Sequence, residues 1–453
     1  MSDALPPTEQ TVAARLERLP YSRWHLTVTV VLGIAIFFDS FDSLAIAYVL
    51  PVIIRAWHIP HAYIGLLISS ANFGQMIGAL TFGWIAERIG RIPTIRIAIA
   101  IFAVMSLACP FTTDYDQLIV CRFFQGIGLG GEIPVASTYI SEILRADRRG
   151  GRFLTYQIIF PVGLLMSGVI GASVVPAFGW QWMFVIGAIP ALVALFMQRY
   201  CPESPRWLAA QGRLTEADAA LGTIERAVMQ GGSGGLAPLT ALAVQPLGQK
   251  TRWQELFEGR YRSRTFLVWV IWACCYIIAY GLQGWIPTLY REVYHLPLQQ
   301  ALNYSIFSPA GSLIGSLICA VVIDHTGRRY WFTGAFFLVA AGLIWLWAFG
   351  AASAFGVLIG FMFCSMWLGS MNMTIFLYTA EIYPTRMRAL GVSWGSFWLR
   401  AAATVGPLIV GWSLPRYGIA GVFATFSIFA VIGCIAAIFM IETRRRVLEE
   451  VSP

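Results

Sequence analysis

Residues 83–91 read GWIAERIGR, and residues 324–329, in the second half of the chain, read DHTGRR. Each stretch follows a long apolar run and places a glycine three residues after an acidic residue, with an arginine directly after the glycine. A second match pairs a glutamate with an arginine seven residues later in each half; the pairs are Glu142 with Arg149 and Glu381 with Arg388. Two matched motifs at equivalent places indicate an internal repeat, so two similar halves are predicted.

The chain around these motifs is strongly apolar. Only 12% of its 453 residues are charged and 58% are hydrophobic, whereas a soluble protein has about 25% charged residues. No soluble fold of this size can bury so much apolar surface. This composition also excludes a disordered chain and an ordinary cytosolic enzyme. A helical protein with many membrane spans is the class that remains.

Twelve apolar stretches are long enough to cross a bilayer as helices. Their approximate bounds are 24–51, 62–86, 93–112, 117–143, 153–177, 181–199, 265–290, 300–323, 330–351, 355–383, 389–413 and 418–440. We therefore predict an all-α membrane protein with two six-helix bundles, over residues 23–199 and 265–440. Residues 1–22 and 441–453 are expected to be terminal segments, and residues 200–264 a linker that contains short helices.

The arginines predict the orientation of these spans. Arg55, Arg291 and Arg416 fall in loops on one side, Arg122 and Arg400 fall inside spans, and the other basic residues flank the opposite side. Basic residues favour the cytoplasmic side, so both termini are expected in the cytoplasm. The net charge of +8 then reflects topology, and no nucleic-acid partner is predicted. The excess of arginine over lysine suggests a bacterial source, and hence a multi-pass protein of the bacterial inner membrane.

The sequence contains no pattern typical of a cofactor or metal site. The eight cysteines lack metal-ligand or disulfide spacing, and we find neither a phosphate-binding loop nor a nucleophile–base set. We therefore predict no enzyme activity, no cofactor and no metal. The expected partners are membrane lipid, protons and a small molecule, and the expected state is a monomer.

The motifs resemble those of the major facilitator superfamily, and in particular its sugar-porter and organic-ion branch. The matching stretches are RFFQGIGLGGE at 122–132, PESPRWL at 202–208, EIYPTRMR at 381–388, and the tail residues ET at 442–443 and LEE at 448–450. Glu87 replaces the more usual Asp of the loop motif, and Ala320 replaces the glycine with which its second copy normally begins. The resemblance covers nearly the whole chain outside the first twenty residues and much of the linker. It implies transport by alternating access.

Acid–arginine clusters recur in both halves at one side of the predicted bundle. Such clusters can hold helix ends together in one state and separate in another, so we expect them to form a cytoplasmic gate. The alternative is that the arginines only mark topology. The candidate gate residues are Glu87, Arg88, Arg91, Glu142, Arg149, Glu203, Arg206, Asp324, Arg328, Arg329, Glu381 and Arg388.

Four charged residues inside the spans are candidates for proton coupling, because a buried charge is costly unless it has a function or a partner. Asp39 and Asp42 are three residues apart and share a helix face. Proton-coupled sugar porters use an aromatic–Asp pair with an arginine in the fourth span, and Asp42 and Arg122 match those positions. The two aspartates also resemble the acidic pair of aromatic-acid symporters. Glu132 is a further candidate. The alternatives are a structural ion pair or helix cap, and for Glu132 a structural role.

Arg400 is the strongest candidate for substrate binding. It lies about eleven residues into the eleventh predicted span, where its permanent charge requires an anion or water. Its planar guanidinium can bind a carboxylate in bidentate fashion. The segment resembles the eleventh helix of organic-ion transporters, in which anion-transporting members tend to have an arginine. The alternative is a fixed salt bridge, for instance to Asp39.

Aromatic residues are expected to form the walls of the substrate site. Trp272, Tyr276, Tyr280 and Gln283 share one face of the seventh span, and Trp285 follows. This segment lacks the Gln-Gln-x-Ser-Gly pattern of sugar porters and resembles the Tyr-Gly-x-x-x-Trp-x-Pro pattern of bacterial niacin and organic-ion transporters. Aromatic walls suit a flat aromatic ligand. Further candidates for the site are Gln125, Trp367, Asn372 and Trp398.

The residues together predict a proton symporter that imports a small organic anion, with an aromatic monocarboxylate such as nicotinate as the best single guess. Three alternatives remain open: a sugar or polyol symporter, an organic-cation or multidrug exporter, and a nutrient sensor that does not transport.

Overall fold

A computed structural model shows that the described part of the chain is almost entirely helical. The structure describes residues 9–143, 158–190, 192, 197, 200–230 and 253–444; within these, the side chains at positions 9, 10, 13, 61, 62, 141, 324, 385, 386, 388 and 389 are not described. The helices of the first part are α1 (Glu9–Glu17), α2 (Arg23–Trp57), α3 (His61–Ile89), α4 (Arg91–Ala108), α5 (Tyr115–Ile143), α6 (Ile159–Phe178) and α7 (Gln181–Gly187).

The later helices begin with two short ones in the predicted linker. They are α8 (Pro205–Ala210), α9 (Leu214–Gln230), α10 (Gly259–Gln283), α11 (Ile286–Glu292), α12 (Leu298–Ser305), α13 (Phe307–Thr326), α14 (Arg328–Ala348), α15 (Ala354–Ile382) and α16 (Thr385–Ile438). Short 3-10 turns lie at Cys109–Phe111, Trp253–Phe257 and Gly350–Ala352.

Within the described residues, ten helices are long and apolar enough to span a membrane. The predicted stretches 389–413 and 418–440 both lie in α16, which bends at Gly418, where φ is 66° and ψ is −173°. The predicted stretch 181–199 begins with α7 and continues largely outside the described residues. The all-α membrane class is therefore confirmed, while the count of twelve spans and the cytoplasmic termini stay predictions.

The repeated loop motif forms two equivalent turns between helices. Gly90 connects α3 to α4 with φ of 104°, and Gly327 connects α13 to α14 with φ of 88°. Both values lie in a region that side chains with a Cβ rarely adopt, so glycine is required for so abrupt a turn. The arginine after each glycine, Arg91 or Arg328, is thereby placed at the first position of the next helix. We call the end of the bundle that carries these two arginines the arginine-rich end.

The long helices pack in two groups. In the first, α3 and α4 pack on α5, and α2 packs on α6; in the second, α10 and α14 pack on α16, and α13 packs on α15. The groups meet where α3 contacts α16, α2 contacts α11, and α6 contacts α12 and α13. Candidate ligand-binding residues from both groups are thereby brought to a common interface.

The short helices α1, α8 and α9 form a small separate cluster beside the first group. Its apolar centre includes Leu16, Trp207 and Leu221. Ion pairs join α1 to α9: Arg15 lies 2.7 Å from Glu225 and 2.5 Å from Asp218, and Arg18 lies 2.7 Å from Glu225. Burial raises the pKa of Glu225, but hydrogen bonds from the two arginines outweigh burial and leave the pKa below its usual value.

Candidate functional site

Asp42 lies in a closed polar cluster formed by α2, α4 and α5. Arg122 Nη1 donates to Asp42 Oδ2 at 2.7 Å and to Gln125 Oε1 at 2.7 Å. The Gln125 amide donates to Asp42 Oδ1 at 2.9 Å and to the Ser106 hydroxyl at 2.6 Å. All four side chains are 0–1% exposed. We call these residues the Asp42 cluster; it brings together the predicted partners Asp42 and Arg122, and adds Ser106, which the sequence did not single out.

Asp39 lies one helical turn earlier and has a different environment. It is 1% exposed, and neither of its carboxylate oxygens has a hydrogen-bond partner among the described residues. It interacts electrostatically with Arg400 across the interface and with Asp42 on its own helix. Glu132 on α5, also 1% exposed, has one oxygen without a described partner and interacts electrostatically with Asp39. Asp39 thus interacts with Arg400 without a direct hydrogen bond to it, and Glu132 interacts with Asp39.

Arg400 projects from α16 into the interface between the two groups. It is half-buried, and its Nη1 donates to Oε1 of Gln75, a residue of α3 that is 1% exposed. Tyr276 and Tyr280 of α10 lie within electrostatic range of Arg400. Arg400 is therefore held by a neutral amide, which leaves its positive charge available to an anion. Sequence reasoning missed Gln75, because a lone amide in an apolar span carries no specific signal.

The aromatic residues of α10 form a continuous stack that leads towards Arg400. Trp272 stacks on Tyr276 with ring centroids 5.4 Å apart, and Tyr276 lies 6.0 Å from Tyr280. Trp272 is fully buried and its indole N–H donates to Thr379 Oγ1 at 3.0 Å. Trp272 is thus fixed by packing in this conformation, whereas Tyr280 is half-buried at the end of the stack.

The other predicted binding residues occupy two different environments. Trp285 is fully buried, and its indole N–H donates to the carbonyl oxygen of Pro407 at 3.2 Å. Half-buried side chains make up the other group: Gln283, Trp367, Asn372 and Trp398. Among the described residues, the two indole N–H groups and the Asn372 carbonyl oxygen in this second group have no hydrogen-bond partner. These polar atoms are buried, and their hydrogen-bonding capacity is not used by the described residues.

Four predicted gate residues of the first half form one network at the arginine-rich end. Arg91 lies 3.0 Å from Glu87 and 3.1 Å from Glu142. The carboxylate of Glu203 accepts the backbone N–H groups of Arg91 at 2.9 Å and Ile92 at 3.2 Å, at the beginning of α4. An anion at a helix N-terminus is favourable because the N–H groups there lack partners within the helix. Burial raises the pKa of Glu203, although these N–H groups favour its ionised form.

The second half repeats this arrangement. Arg328 lies 3.0 Å from Glu381, and the carboxylate of Glu442 accepts the backbone N–H groups of Arg328 at 2.9 Å and Arg329 at 3.1 Å. Glu442 is therefore the counterpart of Glu203. It was not among the predicted gate residues, although the tail motif that contains it had matched the family.

Several predicted gate residues lie apart from these networks. Arg88 lies over the ring of Trp84, 3.6 Å from the ring centroid. Arg206 binds Glu17 at 2.8 Å and so connects α8 to α1. Arg149 lies outside the described residues, as do the side chains of Asp324 and Arg388. Within the described part of the chain, His, Cys, Asp and Glu do not form a group of three or more that could bind a metal ion.

Comparison with known proteins identifies the family. The profile of a family described as sugar (and other) transporter matches residues 26–453. The chain belongs to this family. The family is part of the major facilitator superfamily, which the motifs had predicted, and the apolar helices fit a multi-pass membrane transporter.

Relatives of this transporter include several bacterial proteins. The chain is 28% identical over 449 residues to the niacin transporter NiaP of Acinetobacter baylyi, covering 97% of this chain and 99% of the relative. It is 29% identical over 413 residues to the 4-hydroxybenzoate transporter PcaK of Pseudomonas putida, covering 89% and 88%. These bacterial relatives fit the expected location in a bacterial inner membrane.

Solved structures share the fold of this transporter. The xylose transporter XylE from E. coli, in a partially occluded inward open conformation, matches with a TM-score of 0.71 and 19% identity, covering 94% of this chain and 100% of that chain. At this identity the likeness establishes the fold alone.

Proposed function

We propose that this transporter imports a small aromatic monocarboxylate, with nicotinate as the leading candidate, by symport with protons. The observation that carries the proposal is the environment of Arg400. This permanent cation lies at the interface of the two helix groups, half-buried, beside tyrosines and bonded to a neutral amide. A carboxylate is the ligand that such a guanidinium binds best. The names of the relatives NiaP and PcaK support the same substrate class.

The proposed topology has twelve spans in two bundles, over residues 23–199 and 265–440, and a monomer surrounded by lipid. Both termini and the arginine-rich end lie in the cytoplasm, as the distribution of basic residues favours. In this orientation, the contacts between α3 and α16 lie on the external side of Arg400. The described conformation is then closed by these contacts on the external side of Arg400.

The bidentate guanidinium of Arg400 and the aromatic stack of α10 bind the substrate. The carboxylate of the substrate accepts two N–H groups of Arg400. Its flat ring lies against Tyr276 and Tyr280, which bury apolar area at little cost in side-chain entropy. Asn372 and Trp398, with polar atoms that lack described partners, supply hydrogen bonds to the rest of the ligand.

Proton coupling uses the carboxyl groups of α2 and α5. A proton that adds to Asp42 neutralises it, so that Arg122 loses its ionic partner and α2 can move relative to α5. Asp39 and Glu132 bind protons beside the substrate, because two nearby carboxylates in an apolar site cannot both remain charged at low cost. Symport follows because the charges of substrate, protons and Arg400 compensate each other while the site is closed to water.

The arginine-rich networks act as the cytoplasmic gate in this scheme. In the described conformation each network lies within its own half: Arg91 binds Glu87 and Glu142, and Arg328 binds Glu381. When the cytoplasmic end closes, these charges approach the opposite half and exchange partners. The Arg91–Glu142 and Arg328–Glu381 pairs are mostly buried, with 7–16% of each side chain exposed, so separating them is costly unless new partners replace the old ones.

Uptake into proteoliposomes tests the proposal. Labelled nicotinate, benzoate, glucose and a quaternary amine are supplied under an inward proton gradient, with and without a protonophore. We expect accumulation of one or both carboxylates that the protonophore abolishes. Accumulation of glucose, or of the amine, without any carboxylate would overturn the proposal.

A pair of variants connects the result to Arg400. Arg400→Gln should abolish uptake of the carboxylate. Arg416→Gln is the matched control, because Arg416 lies on the same helix but is exposed and lies over the ring of Trp412, 4.4 Å from its centroid. Equal losses in the two variants would show that the effect arises from the helix rather than from an anion-binding charge.

A further inference from the structure

Helices α3 and α16 meet along a row of polar and small residues at the end of the bundle opposite the arginine-rich end. The α3 residues in this row are three or four positions apart, so they share one face of the helix. They are Gly65, Ser69, Asn72 and Gln75. We call the contact between this face and α16 the α3–α16 seam.

The outer part of the seam depends on the backbone of α16. The Ser69 hydroxyl donates to the carbonyl oxygen of Thr404 at 2.5 Å, and the Asn72 amide donates to that of Ala403 at 3.0 Å. A Cβ at Gly65 would lie 2.7 Å from the carbonyl oxygen of Pro407, so the two backbones are in close contact there. Both acceptors are backbone carbonyls, which move only together with α16.

The innermost contact of the seam is of a different kind. Here the partner of Gln75 is the charged side chain of Arg400, which donates to the amide oxygen. Gln75 is held firmly, because it is 1% exposed and a Cβ at Gly130 of α5 would overlap its backbone. The neutral amide oxygen of Gln75 therefore occupies the Nη1–H group of Arg400 at the interface.

We propose that Gln75 occupies the place of the substrate carboxylate in the empty transporter; this inference rests on the proposed function. The amide oxygen and a carboxylate oxygen compete for the same N–H group of Arg400. A carboxylate displaces the amide, because an ionic acceptor binds a guanidinium more strongly than a neutral one does. Substrate binding thereby breaks the innermost contact of the seam.

Two consequences follow for the transport cycle. An occupied site loosens the α3–α16 seam, whereas an empty site restores its innermost contact, one of the contacts that the empty transporter breaks when it returns to face outward. Competition from Gln75 also exists only while the seam is closed, since separating α3 from α16 moves the amide away from Arg400. Gln75 therefore acts as a positioning residue. It lowers the affinity for the substrate while the site is open at the arginine-rich end, and so promotes release there.

Hydrogen–deuterium exchange on the full-length protein in nanodiscs tests the proposal. The measurement follows deuterium uptake in residues 61–75 and 400–408, with and without benzoate or nicotinate. In the wild type, the carboxylate should raise uptake in both segments. Gln75→Met keeps the length of the side chain but removes the acceptor. It should raise deuterium uptake without ligand, and adding the ligand should then cause no further rise.

Binding assays on the same samples supply the second readout. Gln75→Met should bind the carboxylate roughly threefold to tenfold more tightly, the factor that one hydrogen bond of typical net strength supplies. Gln75→Glu should bind it at least about tenfold more weakly, because a fixed carboxylate then pairs with Arg400. The control is Gln299→Met, since the Gln299 amide donates to the carbonyl oxygen of Ala172 at 2.8 Å, away from Arg400. This control should leave affinity and the response to ligand unchanged.

The outcomes separate the two proposals. If a carboxylate binds to the wild type and raises its deuterium uptake, but Gln75→Met changes neither deuterium uptake nor affinity, the role of Gln75 is refuted and the proposed function stands. If no carboxylate alters the wild type, the proposed function fails. The proposal that Gln75 occupies the place of the carboxylate fails with it. If Gln75→Met still loosens the seam in that case, Gln75 is a purely structural contact.

Discussion

Asp42→Asn removes the negative charge of Asp42 while it preserves the size of the side chain, and the Asp42 cluster predicts the consequence. Arg122 loses its ionic partner at 2.7 Å, while Gln125 can still bond to the new amide. Arg122 is 1% exposed and cannot discharge. The variant therefore contains an uncompensated buried cation, which is more costly than the loss of one hydrogen bond.

The size of this effect follows from two independent estimates. Two unit charges about 4 Å apart interact by about 4 kcal/mol at an effective dielectric constant of about 20. Breaking a buried ion pair by removing one partner typically costs about 3–5 kcal/mol. We therefore expect Asp42→Asn to lower thermal stability clearly. The double variant Asp42→Asn with Arg122→Gln should recover most of the loss, because no charge then remains unpaired.

Transport assays separate this structural effect from coupling. In proteoliposomes, Asp42→Asn should lose accumulation driven by a proton gradient, while exchange of labelled for unlabelled substrate persists. The double variant should regain thermal stability but not accumulation, since no group is left that binds and releases the proton. Full accumulation in either variant would refute the assignment of Asp42 to coupling. Equal stability of the single and double variants would refute the estimate of the pair's strength.

Three further predictions concern other parts of the molecule. Asp39→Asn should weaken the pH dependence of carboxylate uptake without a large fall in thermal stability, because its oxygens have no described hydrogen-bond partner to lose; a titration of uptake against external pH measures this. Glu203→Gln and Glu442→Gln should each destabilise the arginine-rich end by about 1–2 kcal/mol through weaker helix capping, seen as faster deuterium exchange at residues 90–95 and 327–332 respectively. The pKa of Glu225 is lowered in the folded protein, so its ion pairs stabilise the docking of α1 on α9 fully above the usual glutamate pKa. This stabilisation is lost as the pH falls through the pKa of Glu225 in the folded protein. Glu225→Gln should therefore increase deuterium uptake of α1 at neutral pH, as acid does in the wild type.

The sequence predicted the fold class and the main charged partners because these depend on local or repeated signals. Apolar length indicates a span, and the glycine of the loop motif indicates an abrupt turn, as Gly90 and Gly327 show. The pair Asp42–Arg122 was also predictable, from the resemblance to proton-coupled sugar porters, whose aromatic–Asp pair and fourth-span arginine these two residues match. Glu442 could have been found in the same way, by requiring that each helix that begins after the loop motif has an acidic partner, as α4 has in Glu203.

The site across the interface could not be predicted in the same way. Gln75 binds Arg400 only because the fold places α3 against α16, which no spacing in the sequence reveals. The role of Trp272 was equally obscure, since its position on the face of α10 is the same whether the indole contacts a ligand or packs on Thr379. Local patterns determine which helix face a residue occupies, but the neighbour of that face depends on how distant helices are arranged.

The two aspartates of α2 show why a shared face does not imply a shared function. Three residues advance the side chain by about 300° around a helix axis, so Asp39 and Asp42 point about 60° apart. That difference directs Asp42 into the cluster with Arg122 and Asp39 towards Arg400 on the other half. A proton on Asp42 therefore changes contacts within one half, whereas a proton on Asp39 changes the attraction between the halves. In the proposed cycle the two aspartates therefore cannot substitute for each other. A variant that has lost Asp42 should not regain symport through the carboxylate that remains at Asp39.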